Sequence, residues 1–275
     1  MSRRFRHPLS FQTALPDDYS RNKGFGSLLG LLRDLGFWGV ELNLGDPQEH
    51  DFGEVRGFLG QFGLEFSMLA TGLTARRLEL SLSHPLEAER KRAAMKCREM
   101  IEWIGSPGTG VILGLIKGGP AAERDVARRQ FALSLSEIVP VARARRVPIL
   151  VEATNRYETC VANSVADAVG LVAQYGAEFA RVLPDTFHMN IEEADLAGAL
   201  RANREFYQSL HLSDNNRLYP GLGAIDFGKI AACLAEIGYQ GRIAIEGNAR
   251  DDMKADLRAT IAYLAPLFGA EEDQP

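Results

Sequence analysis

The segment Pro148-Ile149-Leu150-Val151-Glu152 joins an uninterrupted apolar run to a carboxylate at its end. Such a run has no polar face, which is typical of a β-strand covered on both sides, as strands are in parallel sheets. Val111-Ile112-Leu113 has the same character. Because strands of this kind need parallel neighbours and covering helices, the two segments predict an α/β protein.

Short apolar runs of this kind alternate with longer amphipathic stretches along the chain. The predicted strands cover residues 9–11, 38–42, 65–70, 110–115, 148–153, 180–183, 207–212 and 242–246. The predicted helices cover residues 27–35, 51–62, 85–103, 121–145, 164–175, 195–203, 227–237 and 255–268. Strand and helix repeated in this order predict right-handed parallel crossovers.

Two folds share this order of elements, an open doubly wound sheet and a closed barrel. The open sheet usually has a glycine-rich phosphate loop after its first strand, whereas Gln12-Thr13-Ala14-Leu15-Pro16 follows the first run here. A length of 275 residues suits a barrel that forms one domain. The sequence therefore predicts a single (β/α)8 TIM barrel over residues 1–275, with a short disordered acidic tail from about residue 269.

The composition limits the expected partners and compartment. The formal net charge is −5, from 31 Lys and Arg against 36 Asp and Glu, so we expect no nucleic-acid partner. No run approaches the roughly 18 apolar residues that a membrane helix needs, so we expect no membrane partner. Three cysteines without a CxxC pair and the lack of an apolar leader predict a cytoplasmic protein with free thiols.

Four successive predicted strands each end in a side chain that can bind a metal. These side chains are Glu152, Asp185, His211 and Glu246, and they are 33, 26 and 35 residues apart, the size of one strand–helix unit. The carboxyl ends of barrel strands meet at one mouth, where barrel enzymes place their chemistry. Three carboxylates and one imidazole form an oxygen-rich site. The sequence therefore predicts one divalent metal, for which Mn²⁺, Mg²⁺ or Co²⁺ would be suitable and Zn²⁺ is an alternative.

Polar residues in the loops beyond these ligands are candidates for substrate binding. Glu158 follows Glu152, His188 follows Asp185, and Arg217 follows His211. The glycine-containing stretch 220–226 has two interpretations, a phosphate cradle or a plain turn into the next helix with Asp226 near its N-cap. The turn is favoured.

Several motifs resemble one family of barrels. They are Gly39-Val40-Glu41-Leu42, Val151-Glu152, Asp185-Thr186-Phe187-His188-Met189-Asn190-Ile191-Glu192-Glu193 and Pro220-Gly221-x-Gly223-x-Ile225-Asp226-Phe227. Together they resemble the xylose isomerase-like TIM-barrel superfamily, and within it the D-tagatose 3-epimerase and D-psicose 3-epimerase group of ketose 3-epimerases. Two departures are Ser213-Asp214, where the group tends to have a Gly-Glu pair, and an N-terminal third that matches poorly.

The resemblance implies a ligand set and a substrate class. It assigns Mn²⁺ or Co²⁺ to Glu152, Asp185, His211 and Glu246, and it assigns substrate contacts to Glu158, His188 and Arg217. It also implies an isomerase of carbohydrate metabolism that acts on a small sugar or sugar derivative and forms homodimers or homotetramers.

The residues allow C3 epimerisation of a ketose through a metal-stabilised enediolate. Glu152 and Glu246 lie on non-adjacent strands, so they could act as an acid/base pair on opposite faces of the sugar. The same carbanion chemistry would serve a hydroxypyruvate-type aldose–ketose isomerase, or a lyase resembling inosose dehydratase or the C-glycoside deglycosidases. A DNA-repair endonuclease of this fold is disfavoured, because the chain is acidic and has only five histidines.

Overall fold

The computed structural model describes residues 5–105, 107–119 and 123–269. Eight strands lie within these ranges, and every pair of hydrogen-bonded neighbours is parallel. They are β1 (Leu9–Ala14), β2 (Gly39–Asn43), β3 (Glu65–Ala70), β4 (Gly110–Leu113), β5 (Ile149–Glu152), β6 (Ala180–Leu183), β7 (Ser209–Leu212) and β8 (Arg242–Ile245). Each overlaps a predicted apolar run, and β1 extends three residues beyond its run.

The strands close into a nearly complete ring. The hydrogen-bonded order is β6-β5-β4-β3-β2-β1-β8-β7, so the first strand joins the last and the seam lies between β6 and β7. A single parallel bridge between Asp185 and His211 crosses this seam, and the His211 N–H donates to the Pro184 carbonyl at 2.9 Å. The predicted (β/α)8 TIM barrel is therefore confirmed, and two predicted metal ligands lie where it closes.

Helices connect the strands and cover the outside of the barrel. They are α1 (Lys23–Asp34), α2 (Phe52–Gly60), α3 (Gly72–Arg77), α4 (Glu87–Ile104), α5 (Arg124–Arg145), α6 (Val165–Val172), α7 (Thr186–Glu192), α8 (Leu196–Ala202), α9 (Phe227–Glu236) and α10 (Met253–Phe268). No helix in these described ranges is long and apolar enough to cross a membrane. The expected tail from about residue 269 falls almost entirely on 270–275, outside the described residues.

The short helix α7 was not predicted and replaces an expected loop. Asp185 caps it, because its Oδ1 accepts a hydrogen bond from the Phe187 N–H at 2.7 Å. A carboxylate at an N-cap satisfies backbone donors that the first turn leaves free. Asp185 therefore starts the helix that carries His188.

The barrel interior has an apolar half and a polar half. A small separate cluster of buried apolar residues comes from β3 to β6, namely Met68, Ala70, Ile112, Leu150 and Leu183. The buried polar residues Ser10, Glu41 and His211 come from β1, β2 and β7. The polar half extends below the barrel mouth and supplies partners to the residues at the strand ends.

Candidate active site

The four predicted metal ligands converge at the carboxyl ends of β5 to β8. Glu152, Asp185, His211 and Glu246 each contribute one ligand atom, and these atoms all lie within 4.8 Å of one another. Glu246 is partly buried and the other three are buried. A compact set of three carboxylates and one imidazole fits a divalent cation. The structure thus brings together four residues that are spread over 94 positions of the chain, from Glu152 to Glu246.

The imidazole of His211 is held from both sides. Its Nδ1 lies 2.5 Å from Glu246 Oε2 and 3.8 Å from both Glu152 Oε1 and Asp185 Oδ2. Its Nε2 lies 2.8 Å from Oε2 of Glu41, which is buried on β2. A carboxylate on the far nitrogen fixes the ring orientation in many metal sites. Nδ1 is therefore the nitrogen presented to the cluster.

The carboxylates around His211 also govern its charge. Burial alone would lower the pKa of His211, but Glu41 and Glu246 raise it well above its ordinary value. The ring is therefore an imidazolium when no metal is bound, and a cation at Nδ1 would have to displace a proton. Glu41 was not assigned a role from the sequence, although an acid within the apolar run Gly39–Asn43 was a usable signal.

Glu41→Gln is expected to weaken divalent-metal binding by about tenfold to a hundredfold, because a neutral amide orients the imidazole less firmly. Isothermal titration of Mn²⁺ into the metal-free protein measures the effect. Glu54→Gln, on the exposed face of α2, is the matched control and should bind Mn²⁺ like the unsubstituted protein. Unchanged affinity in Glu41→Gln would contradict the orienting role.

Arg217 neutralises two of the clustered carboxylates. Its Nη1 lies 2.7 Å from Asp185 Oδ2, and its Nη2 lies 2.7 Å from Glu246 Oε1. The guanidinium carbon sits 4.9 Å from the centre of the Phe187 ring. Burial raises the pKa of Glu246, but the charges of Arg217 and His211 outweigh it and bring that pKa below the usual range. The cluster therefore has cationic partners of its own.

His188 is presented to the site by a hydrogen bond from Asn155. The Asn155 Nδ2 lies 2.7 Å from His188 Nδ1 and 3.0 Å from Glu158 Oε1. Because an amide NH₂ only donates, Nδ1 is the acceptor and the ring proton lies on Nε2, 3.8 Å from Glu152 Oε1. Burial lowers the pKa of His188 and favours the neutral ring. Asn155 was missed in the sequence because loop amides are commonly solvated.

Glu152 occupies a tight and electrically unusual position. A Cβ on Gly114 would lie 2.4 Å from Glu152 Oε2, so a larger residue there would force the carboxylate to move. The ammonium of Lys117, which is fully buried, donates to the Glu152 carbonyl and to Thr154 Oγ1. Burial, followed by the charge of Glu246, raises the pKa of Glu152 to about 8. Lys117 gave no sequence signal, since a lysine after a strand normally faces water.

A cavity of about 380 Å³ opens directly above the cluster. All three predicted substrate residues, Glu158, His188 and Arg217, line it together with the candidate ligands Glu152 and Glu246. The opposite wall comes from the N-terminal third and from the loop after β8, and includes Gln12, Asn43, Arg76 and Asn248. These four residues were not identified from the sequence.

The glycine-containing stretch 220–226 is a turn. The buried carboxylate of Asp214 accepts hydrogen bonds from the backbone N–H groups of Gly221, Gly223 and Ile225, each at 2.9 Å. Asp226 caps α9 by accepting from the Lys229 N–H at 3.1 Å. The donors that a phosphate cradle would need are thus engaged by Asp214, which confirms the turn. Asp214 therefore anchors this loop. The Ser213-Asp214 pair, which differs from the Gly-Glu pair of the resembling group, thus has a structural role here.

Comparisons with known proteins agree with this fold. The 3-dehydro-D-guloside 4-epimerase of Escherichia coli (strain K12) is 26% identical over 244 residues, which cover 85% of this chain and 91% of that protein. The L-ribulose 3-epimerase of Mesorhizobium japonicum is 27% identical over 241 residues, or 86% of this chain and 80% of that protein.

A solved structure and a family model also match this chain. The crystal structure of D-psicose 3-epimerase with D-tagatose from Clostridium cellulolyticum H10 has a TM-score of 0.78 at 24% identity, covering 94% of this chain and 96% of that one. That likeness establishes the fold. Residues 29–267 match the family described as xylose isomerase-like TIM barrel. Since the match spans most of the sequence, the chain belongs to the xylose isomerase-like TIM barrel family.

Proposed function

We propose that this protein is a metal-dependent isomerase that epimerises a keto-sugar at the carbon beside the carbonyl, with C3 of a ketose as the first choice. The observation that carries the proposal is the cluster of Glu152, Asp185, His211 and Glu246 at the base of a cavity that Glu158, His188 and Arg217 also line. A C–H bond beside a carbonyl is removed only if the negative charge that develops is stabilised.

The four clustered residues would hold one divalent cation, which we propose to be Mn²⁺. Bound there, the cation would supply positive charge to stabilise the enediolate that forms on proton removal. Asp185 and His211 would act as ligands only. Glu41, through the Nε2 of His211, would keep the imidazole in its binding orientation.

Glu152 and Glu246 would also exchange protons with the sugar carbon. They follow β5 and β8, which are not neighbours in the barrel, and both line the cavity. A sugar lying between them would present opposite faces of one carbon to the two carboxylates. One would remove the proton and the other would return a proton to the other face, which inverts the carbon.

The remaining cavity residues would bind and orient the sugar. The Nε2–H of His188 points toward the cluster and would donate to the carbonyl oxygen or its neighbouring hydroxyl. Arg217 would donate to the same end of the sugar once the cation has taken over the carboxylates that it contacts in the metal-free protein. Glu158, fixed by Asn155, would accept from a sugar hydroxyl.

A second substrate geometry is supported by one comparison. The Escherichia coli relative is named as a 4-epimerase of a 3-dehydro-sugar, and its similarity covers 91% of that protein. C4 of a 3-keto-sugar and C3 of a 2-ketose are both adjacent to a carbonyl, so the same residues could serve either. Both relatives described above are named as epimerases, which favours epimerisation over a 1,2-shift or elimination from the same carbanion.

The test is a substrate panel in D₂O with added Mn²⁺ or Co²⁺, read by NMR. We expect deuterium at C3 of D-fructose, D-tagatose or L-ribulose, together with the C3 epimer. Deuterium at C4 of a methyl 3-keto-hexoside would select the second geometry. Deuterium at C1 would indicate an aldose–ketose isomerase, and loss of a β-substituent a lyase. Either of these last outcomes, or no exchange in any substrate, would contradict the proposal.

A further inference from the structure

The amino-terminal end of the barrel contains a second cavity, opposite the metal cluster, whose lining includes both polar and apolar residues. Its volume is about 180 Å³. Arg181, the second residue of β6, and Arg242, the first residue of β8, both line it, together with Gln208 and Ser209 at the start of β7. We call these four residues the arginine floor. Nothing in the proposed epimerisation uses them.

The guanidinium of Arg242 is held in a fixed position, and some of its donors have no partner among the described residues. It lies over the ring of Trp38 at 4.8 Å, and its Nη1 donates to the Ser67 carbonyl at 3.3 Å. Arg181 is held by one bond from its Nε to the Glu178 carbonyl at 3.3 Å. A guanidinium has five N–H donors, so within the described part of the chain most donors of both arginines have no hydrogen-bond partner.

Neither arginine has a carboxylate partner among the described residues. Both side chains are half-buried, and neither forms an ion pair there. Burial lowers the pKa of both, and the charge of Arg242 lowers that of Arg181 further. The charges of Glu178 and Tyr239 act to raise the pKa of Arg181. Those of Glu41, Tyr239 and Glu65 act to raise the pKa of Arg242. Among the described residues, none of these groups forms an ion pair with either arginine. Two like charges therefore share one cavity without a direct counter-ion.

We propose that the arginine floor binds a small tetrahedral oxyanion of the phosphate or sulfate class. Planar guanidinium groups present paired N–H donors that match the oxygens of such an anion. The Gln208 amide and the Ser209 hydroxyl provide further donors beside them. The ligand is either free inorganic phosphate or the terminal group of a small phosphate monoester. The floor lies at the opposite end of the barrel from the metal cluster, so the bound anion would not contact the substrate. Its expected effect is to stabilise the folded state.

Thermal unfolding in increasing phosphate tests the site. At constant ionic strength and about 20 mM inorganic phosphate, the Tm of the unsubstituted protein should rise by about 3 °C relative to chloride, as expected for a ligand that binds only the folded state at about 1 mM. Glycerol 3-phosphate is the second arm. A rise with both ligands identifies a monoester site, whereas a rise with inorganic phosphate alone identifies a free-anion site.

Matched variants separate binding at the floor from general salt effects and from phosphate at the metal cluster. Arg181→Gln with Arg242→Gln should abolish the rise. Arg129→Gln with Arg258→Gln removes two exposed charges and should retain it in full. Arg181→Gln alone, which leaves Arg242 packed on Trp38, should reduce the rise by at least half and covers the case in which the double variant does not fold. The same rise in the unsubstituted protein and in Arg181→Gln, or no rise in either, would overturn the proposal.

Discussion

Removal of the divalent cation with a chelator is expected to lower proton exchange at the substrate carbon by at least about 10³-fold, since stabilising the charge of an enediolate is worth several kcal/mol. The protein should nevertheless stay folded. Arg217 bridges Asp185 and Glu246, and His211 is an imidazolium in the metal-free state. These two cations offset the repulsion between the clustered carboxylates, so the cost of losing the metal is limited.

The stability change follows from the same reasoning. A cation present at a hundred times its Kd stabilises the folded state by about 2.7 kcal/mol, which corresponds to a fall in Tm of about 5 °C or more on its removal. Metal content by mass spectrometry, exchange in D₂O and thermal unfolding should be measured on one sample. Mn²⁺ added back should restore activity, with Co²⁺, Mg²⁺ and Zn²⁺ compared beside it. Full exchange in protein shown to be metal-free would contradict the metal site.

The fold was predictable because the parallel barrel repeats one simple unit. Each strand is covered on both faces, so its sequence is an apolar run such as Ile149-Leu150-Val151. Such a run can be recognised without any tertiary information. The convergence of the four candidate ligands was predictable for a related reason. The carboxyl end of every strand reaches the same mouth, so a metal-binding side chain after each of four successive runs already implied a cluster.

Residues whose function depends on contacts distant in sequence were not predictable in the same way. Glu41 reaches Nε2 of His211 across 170 positions, and Asn155 reaches Nδ1 of His188 across 33. Lys117 is fully buried, and its ammonium donates to the backbone carbonyl of Glu152, 35 positions away. Glutamate, asparagine and lysine side chains are ordinarily exposed to solvent. Their burial here follows from packing, which no local pattern reports.

The helix α7 was missed because one residue does two things. Asp185 caps the helix through Oδ1 and faces the metal cluster through Oδ2. A carboxylate at a strand end was expected to be a ligand, and that interpretation left the following residues as a loop. The assignment of residues 1–275 to one domain, the cytoplasmic location and the homodimer or homotetramer stay predictions from sequence and family resemblance.

Glu246→Gln is expected to abolish epimerisation, with a loss of about 10²–10⁴-fold, while a metal remains bound. Glutamine keeps an oxygen that can coordinate the cation but cannot carry the proton. If Glu246 and Glu152 act on opposite faces, the variant should still exchange the proton of one epimer with D₂O and fail on the other. Glu152→Gln should show the reverse selectivity. The two variants therefore form a complementary pair.

This pattern of exchange distinguishes the two-base scheme from its alternatives. A single base serving both faces would make one variant lose exchange with both epimers and leave the other variant nearly unaffected. Glu158→Gln is the matched control, because Glu158 lines the same cavity without belonging to the ligand cluster. It should slow exchange of both epimers equally, as expected for a residue that binds the sugar but moves no proton at its carbon. Full exchange of both epimers by Glu246→Gln, with its metal content verified, would exclude Glu246 as a base, because a proton acceptor on one face cannot be lost without loss of exchange on that face.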